Sequence, residues 1–84
     1  MGRKEKLINR LKQRPKDFTW NELSNLLKSL GYREKKKGKS GGSRRRFVHE
    51  SAPTITLHKP HPQNILKHYA IDQILELLQK ENML

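Results

Sequence analysis

The spacing of the apolar residues changes along this chain, and that change limits the folds open to it. Residues 23 to 30 repeat leucine at three- and four-residue intervals, which places the side chains on one face of a helix. Residues 54 to 57 instead alternate polar and apolar side chains, as a strand with one buried face does. Helical spacing returns between residues 71 and 78. A chain that passes from helix to strand and back predicts an α+β fold.

Cap and turn residues place the boundaries of the predicted elements. Thr19 and Glu22 have the spacing of a capping box, and Gly31 stands where a left-handed residue closes a helix. The predicted elements are helices over 3–13, 19–30 and about 70–82, an edge strand after Tyr32, and strands over 44–50 and 54–59. In the last strand Ile55 and Leu57 should face the core. The adjacent Phe47 and Val48 leave open which face of the preceding strand is buried.

The order α-α-β-β-β-α predicts a small layer sandwich, in which a three-stranded antiparallel sheet packs against helices. The chain has 84 residues, of which 32% are apolar, so we expect one domain with a thin core. We assign residues 1–15 to a basic helical extension and residues 16–84 to that domain.

Charge restricts the partners of this chain. Nineteen lysines and arginines oppose eight acidic residues, and the formal net charge is +11. Such an excess favours a polyanion as partner, and the basic residues are densest between residues 33 and 46. Lysine-rich edge strands can also serve only to prevent sheet aggregation. We predict contact with nucleic acid and name as its binding residues, which become RNA-binding residues under the resemblance described below, Lys36, Lys37, Lys39, Arg44, Arg45 and Arg46.

Several classes of protein are disfavoured by composition. The chain contains no cysteine, which excludes disulfides, thiolate metal sites and a cysteine nucleophile. No apolar run approaches the roughly 20 residues that span a bilayer, and the basic amino terminus lacks the apolar segment of a signal peptide. His58 and His61 are close in sequence, but the surrounding positive charge opposes a cation. We therefore expect a cytoplasmic protein with no membrane partner, no metal and no cofactor.

Three motifs follow one another between residues 19 and 80. Residues 20–23 lead through a helix to Leu30-Gly31-Tyr32, residues 42–47 read Gly-Ser-Arg-Arg-Arg-Phe, and residues 57–62 read Leu-His-Lys-Pro-His-Pro. In order and spacing they resemble the HicA family, the toxins of HicA/HicB type II toxin–antitoxin pairs. The resemblance implies a fold like that of double-stranded-RNA-binding domains. It also implies an endoribonuclease that cleaves messenger RNA, inhibits translation and growth, and has a HicB-type antitoxin as partner.

The resemblance places the family's usual catalytic histidine at Arg44, so this chain is a divergent Gly-Ser-Arg form. Arginine stays protonated and cannot act as a general base. Metal-independent RNA cleavage needs a base for the 2′-hydroxyl, an acid for the 5′-oxygen and cations for the phosphorane, and histidine suits both proton transfers. We predict His58 and His61 as catalytic. His58 ends a strand on its solvent face beside Arg44 or Arg46, and prolines flank His61.

Other interpretations of the same residues stay open. His49 and His68 are weaker candidates for catalysis, and Trp20 is more typical of a core residue than of a base-stacking platform. The alternative function is a non-catalytic module that binds double-stranded RNA and needs only positive charge. A DNA-binding protein that reads bases with the helix from Thr19 is a third hypothesis, although that helix exposes few side chains suited to it.

Overall fold

The computed structural model describes residues 2–36, 44–60 and 63–84. Three helices and three strands follow in the predicted order, so the α+β fold class is confirmed. The helices are α1 (Arg3–Lys12), α2 (Trp20–Ser29) and α3 (His68–Lys80), and the strands are β1 (Arg33–Lys36), β2 (Arg44–Val48) and β3 (Ile55–His58). Among the described residues, no helix is long and apolar enough to cross a bilayer.

Both ends of α2 form as their residues predict. The Thr19 hydroxyl accepts a hydrogen bond from the Glu22 amide at 3.1 Å, and the Glu22 carboxylate accepts one from the Thr19 amide at 3.0 Å. Gly31 follows the helix with φ +99°, in the left-handed region that favours glycine. A Cβ at this position would also come within 2.8 Å of the His49 ring. Gly31 is therefore required by both conformation and space.

The last helix begins earlier than expected. We predicted its start at about Ala70, whereas α3 begins at His68, and the preceding Lys67 makes no side-chain cap hydrogen bond. Without a Ser, Thr, Asp or Asn at the cap, the sequence carries no signal for this boundary. Tertiary contacts set it instead, because the segment before α3 pairs with the start of α2: Trp20 donates its amide to Asn64 and Leu66 donates its amide to Phe18, both at 2.8 Å.

The sheet is antiparallel with the order β1-β2-β3, so β2 is central. Phe47 lies opposite both Glu34 and Ile55, and cross-strand partners share a face. Ile55 and Leu57 are buried, as predicted, and Phe47 is fully buried with them. The open question about the face of β2 is thereby resolved: Phe47 points into the core, and Val48 lies on the opposite face.

One core joins the helices to this face of the sheet. Trp20 is buried, which confirms its prediction as a core residue, and its ring lies 5.6 Å from that of Phe47. Leu11 of α1 is fully buried in the same cluster. The other buried apolar residues are Phe18, Leu23, Leu26, Leu27, Tyr32, Ile55, Leu57, Leu66, Ala70, Ile71, Ile74 and Leu78. With the helices on one side, the other face of the sheet is left to solvent.

Candidate nucleic-acid interface

The solvent face of the sheet carries basic side chains from all three strands. We call it the cationic face, and it comprises Arg33, Lys35, Arg44, Arg46 and His58, all exposed. Their cross-strand partners place them on one side: Lys35 lies opposite Arg46, and Arg44 lies opposite His58. Among the described residues of the three strands, the only carboxylate, Glu34, is on the other face. No described strand residue therefore places a carboxylate on the cationic face.

The alternation of strand side chains produces this separation of charge. Every residue from 33 to 36 and from 44 to 46 is charged, but successive side chains of a strand point to opposite faces. Because Phe47 fills the core, Arg46 and Arg44 must point outward. The sheet therefore decides which of these charged side chains share a face, because it sets which residue enters the core.

Arg45 is separated from the other predicted RNA-binding arginines. It lies on the same face as Phe47, where its guanidinium is 3.5 Å from the Glu34 carboxylate and donates to the Arg44 carbonyl at 3.1 Å. Both side chains of the ion pair are largely covered, with 24% and 20% of their surfaces exposed. The structure therefore groups Arg44 with Arg46 and turns Arg45 away from them.

The described part of the chain does not include all of the predicted site residues. Lys37, Lys39 and the predicted catalytic His61 lie outside the described residues. Lys36 pairs with Arg45 through the β1–β2 ladder. Their roles in RNA binding or catalysis stay predictions.

His58 and Arg44 are brought together as a pair. The prediction placed His58 beside Arg44 or Arg46, and the register of β2 and β3 selects Arg44. Directly opposed residues of antiparallel strands have Cβ atoms about 4.5–5.5 Å apart. An imidazole and a guanidinium at this separation can contact one phosphodiester group together.

His49 has a structural environment. Its Nδ1 accepts a hydrogen bond from the Ser51 amide at 3.0 Å, and its Nε2 lies 3.1 Å from the Leu30 carbonyl. With Nδ1 accepting, Nε2 carries the proton and donates to that carbonyl at the end of α2. Because both ring nitrogens are engaged with the backbone, His49 holds the α2–β1 connection and is a poor candidate for catalysis.

An open groove of about 710 Å³ begins at His58 and extends toward the start of α3. We call it the β3–α3 groove. Gln63 and residues 65–67 line it, as do residues 68–70 at the start of α3. Its side chains include Lys16, Lys59, Lys67, His68 and Tyr69, and no acidic residue is among its described lining. The groove thus continues the positive charge of the cationic face around the β3 edge.

Sequence reasoning missed most of this groove. Lys16, Ile65 and Lys67 are far apart in sequence or lack any motif, and the pairing of the segments near residues 18 and 65 brings them together. One signal was present: Tyr69 precedes the apolar stripe that starts at Ala70, so on helical spacing it falls outside the buried face. It is 66% exposed, and Ile65 is 37% exposed.

Comparison with known proteins gives one family. A sequence model described as the HicA toxin of bacterial toxin–antitoxin systems matches residues 20–79, well over half of the chain. No curated protein and no solved structure shows a significant match. The matched region contains α2, the whole sheet and nearly all of α3, so it includes the cationic face and most of the groove.

Proposed function

Since this chain belongs to the HicA family of toxins from bacterial toxin–antitoxin systems, we propose that it is a metal-independent endoribonuclease that cleaves messenger RNA. The observation that carries the proposal is the position of His58 directly opposite Arg44 on a sheet face with no carboxylate among its described residues. Cleavage of messenger RNA would inhibit translation and growth. A HicB-type antitoxin is the proposed partner that restrains this activity in the cytoplasm.

The cationic face supplies the binding energy for the RNA backbone in this proposal. Each lysine or arginine that meets a phosphate releases condensed counterions, which gives strong and salt-dependent affinity. Arg44 and Arg46 lie two residues apart on the central strand, and Lys35 lies beside Arg46 on β1. Side chains fixed in this way on strands can position the backbone over the Arg44–His58 pair.

His58 is assigned the role of general base. A neutral imidazole takes the proton of the 2′-hydroxyl, and the 2′-oxygen then attacks the adjacent phosphorus. Arg44 stabilises the negative charge on the phosphorane oxygens, a task suited to its planar guanidinium. The general acid that protonates the departing 5′-oxygen is assigned to His61. The products are a 2′,3′-cyclic phosphate and a 5′-hydroxyl, so that atoms and charge balance without a metal or a cofactor.

The test is cleavage of a long single-stranded RNA in the presence of a chelator, with purified wild-type protein and variants. We expect wild type to cleave, and His58→Ala to lower the rate by roughly 100- to 10,000-fold, the range for loss of a general base. Arg44→Ala should lower the rate, whereas Lys12→Ala removes a charge at an exposed position of α1 and should not. Analysis of the product ends should show cyclic phosphates, and His61→Ala tests the assigned acid.

Two results would contradict the proposal. Full activity of His58→Ala would remove its assignment as the base. Tight, salt-sensitive binding with no cleavage by the wild-type protein, after exclusion of contaminating nucleases, would favour the non-catalytic RNA-binding module. In that event the protein would be a family member that binds RNA without cleaving it, with Arg44 in place of the usual catalytic histidine.

A further inference from the structure

Two large apolar side chains remain exposed in the described part of the chain, and both line the β3–α3 groove. They are Ile65 and Tyr69. Among the described residues the aromatic ring contacts join Trp20 to Phe47 and Tyr32 to His49, so the Tyr69 ring takes no part in them. Packing of the core therefore does not account for an aromatic ring at this position.

The groove around Tyr69 is surrounded by cations. Lys16, Lys59 and Lys67 line it together with His58 and His68. An apolar ring beside several ammonium groups is poorly suited to an apolar partner helix, because that helix would bury the charges. It suits a ligand with a flat aromatic part and an attached anion.

The walls of the groove are held by backbone hydrogen bonds. Asn64 and Leu66, on either side of Ile65, bond to Trp20 and Phe18 at 2.8 Å. Leu66 is buried, so the alternation of an extended segment turns Ile65 outward. Tyr69 stands in the first turn of α3, a helix of 13 residues. The site is built on fixed elements, which lowers the entropy lost on binding.

We propose that the β3–α3 groove binds an unpaired nucleotide of the RNA, with its base stacked on Tyr69 beside Ile65 and its phosphates near Lys16, Lys59 and Lys67. The inference rests on the proposed function, since the groove meets the cationic face at His58. It adds that the substrate is single-stranded at this position, because a paired base cannot offer its face to the ring.

Binding of a labelled 12-nucleotide RNA measures the effect of the ring. The RNA carries 2′-fluoro groups, which remove the attacking hydroxyl and prevent cleavage during the measurement. Stacking is worth about 1–3 kcal/mol per base, so Tyr69→Ala should weaken binding of the single strand about 5- to 150-fold. Tyr69→Phe keeps the ring and should bind nearly as wild type. Gln73→Ala, another exposed position of α3, should have no effect.

The salt dependence of binding, and a comparison of duplex with single-stranded RNA, distinguish base stacking from electrostatic attraction. Tyr69→Ala should leave the slope of log affinity against log salt unchanged, whereas Lys67→Gln should reduce it by about 0.7. A duplex of the same sequence should lose little affinity on Tyr69→Ala. Circular dichroism of each variant confirms that the exposed substitution leaves the fold intact.

The NMR signals of the Tyr69 ring, in protein with isotope-labelled tyrosine, give a direct readout of stacking. The chain has two tyrosines, and Tyr32 is buried, so Tyr32 serves as an internal reference in tyrosine-labelled protein. A 2′-fluoro trinucleotide should move the ring resonances of Tyr69 upfield, through the ring current of the base. A trinucleotide that is abasic at its central position should not.

Distinct outcomes separate the two proposals. If wild type binds RNA and Tyr69→Ala binds the single strand equally well, the groove inference fails, and the proposed function, which the cleavage assay tests, is unaffected. If wild type binds no RNA, both fail. If Tyr69→Ala loses affinity for a co-purified antitoxin and keeps its affinity for RNA, the groove is a protein contact and the nucleotide proposal is overturned.

Discussion

Arg10 connects three parts of the chain through one guanidinium. Its Nε donates to the Glu22 carboxylate at 2.8 Å, and its Nη2 donates to the Asp17 carboxylate at 2.9 Å. Its guanidinium also lies 5.7 Å from the centre of the Phe18 ring. Bonds to both carboxylates raise the pKa of Arg10 above its ordinary value. The residue joins α1 to the cap of α2, a contact distant in sequence that no local pattern indicates.

Glu22 has two functions, as the capping carboxylate of α2 and as the partner of Arg10. Partial burial raises its pKa, but the hydrogen bonds from Arg10 and Thr19 outweigh burial and lower the pKa below the ordinary value of 4.5. Between the lowered and the ordinary pKa, the unfolded chain binds more protons than the folded one. The contribution of Glu22 to stability is therefore present above about pH 4.5 and is lost as the pH falls through the lowered pKa.

Glu22→Gln should destabilise the protein by roughly 1–2 kcal/mol at neutral pH, the range for a helix cap bonded to a charged group. Urea unfolding at about pH 7 and about pH 3 measures the effect, and the difference from wild type should shrink at the lower pH. Glu76→Gln, at an exposed site of α3 without an ion pair to a described residue, is the control. A difference that is equal at both pH values would contradict this account.

At the scale of elements, α1 is joined to the rest of the fold by packing and by charge. Leu11 is fully buried in the common core. Arg14, just after the helix, makes two hydrogen bonds to the Asp72 carboxylate of α3, at 2.6 and 2.9 Å. The division of the chain into an extension over 1–15 and a domain over 16–84 stays a proposal. These contacts indicate that the extension would contribute stability to the domain.

Leu11→Ala tests that contribution. Removal of a fully buried leucine side chain should lower the free energy of unfolding by about 2–5 kcal/mol, through lost transfer energy and the cavity left behind. Asn9→Ala, at an exposed position of α1, should change it by less than about 0.5 kcal/mol. Chemical denaturation of both variants, followed by the fluorescence of Trp20, gives the comparison. A Leu11→Ala protein as stable as wild type would show that α1 docks only weakly.

At the scale of the whole molecule, helices cover one face of the sheet and the other face displays its charge. The radius of gyration is 12.4 Å, so no charge on the sheet is far from another. At physiological ionic strength the screening length is about 8 Å, and neighbouring cations of the face act together on a polyanion. Part of the excess positive charge of the sequence is thereby displayed together on the solvent face of the sheet.

Arg46→Gln should therefore reduce the slope of log affinity against log salt for single-stranded RNA by about 0.7, the value for one lost phosphate contact. Lys12→Gln removes an equal charge from α1, in the helical layer, and should leave the slope unchanged. Titrations at several salt concentrations provide the slopes. Equal reductions by the two substitutions would indicate attraction by net charge alone, without a preferred face.

Much of this fold could be predicted from short-range features of the sequence. The capping box of Thr19 and Glu22, the left-handed Gly31 and the alternation through Ile55 and Leu57 are all local, because caps, turns and strand periodicity involve residues a few positions apart. The positive charge of the surface that would bind a polyanion also followed directly from composition. Local features could not locate the start of α3, where Lys67 provides no side-chain cap.

Tertiary structure decided which of these residues act together. Pairing between strands selected Arg44 as the neighbour of His58 and separated Arg45 from Arg46, because the register depends on which of Phe47 and Val48 enters the core. The groove beside Tyr69 required contact between segments near residues 18 and 65. The sequence by itself determined the helices and strands, their order and the sign of the surface charge. The cationic face and its groove came from long-range packing, which local spacing does not encode.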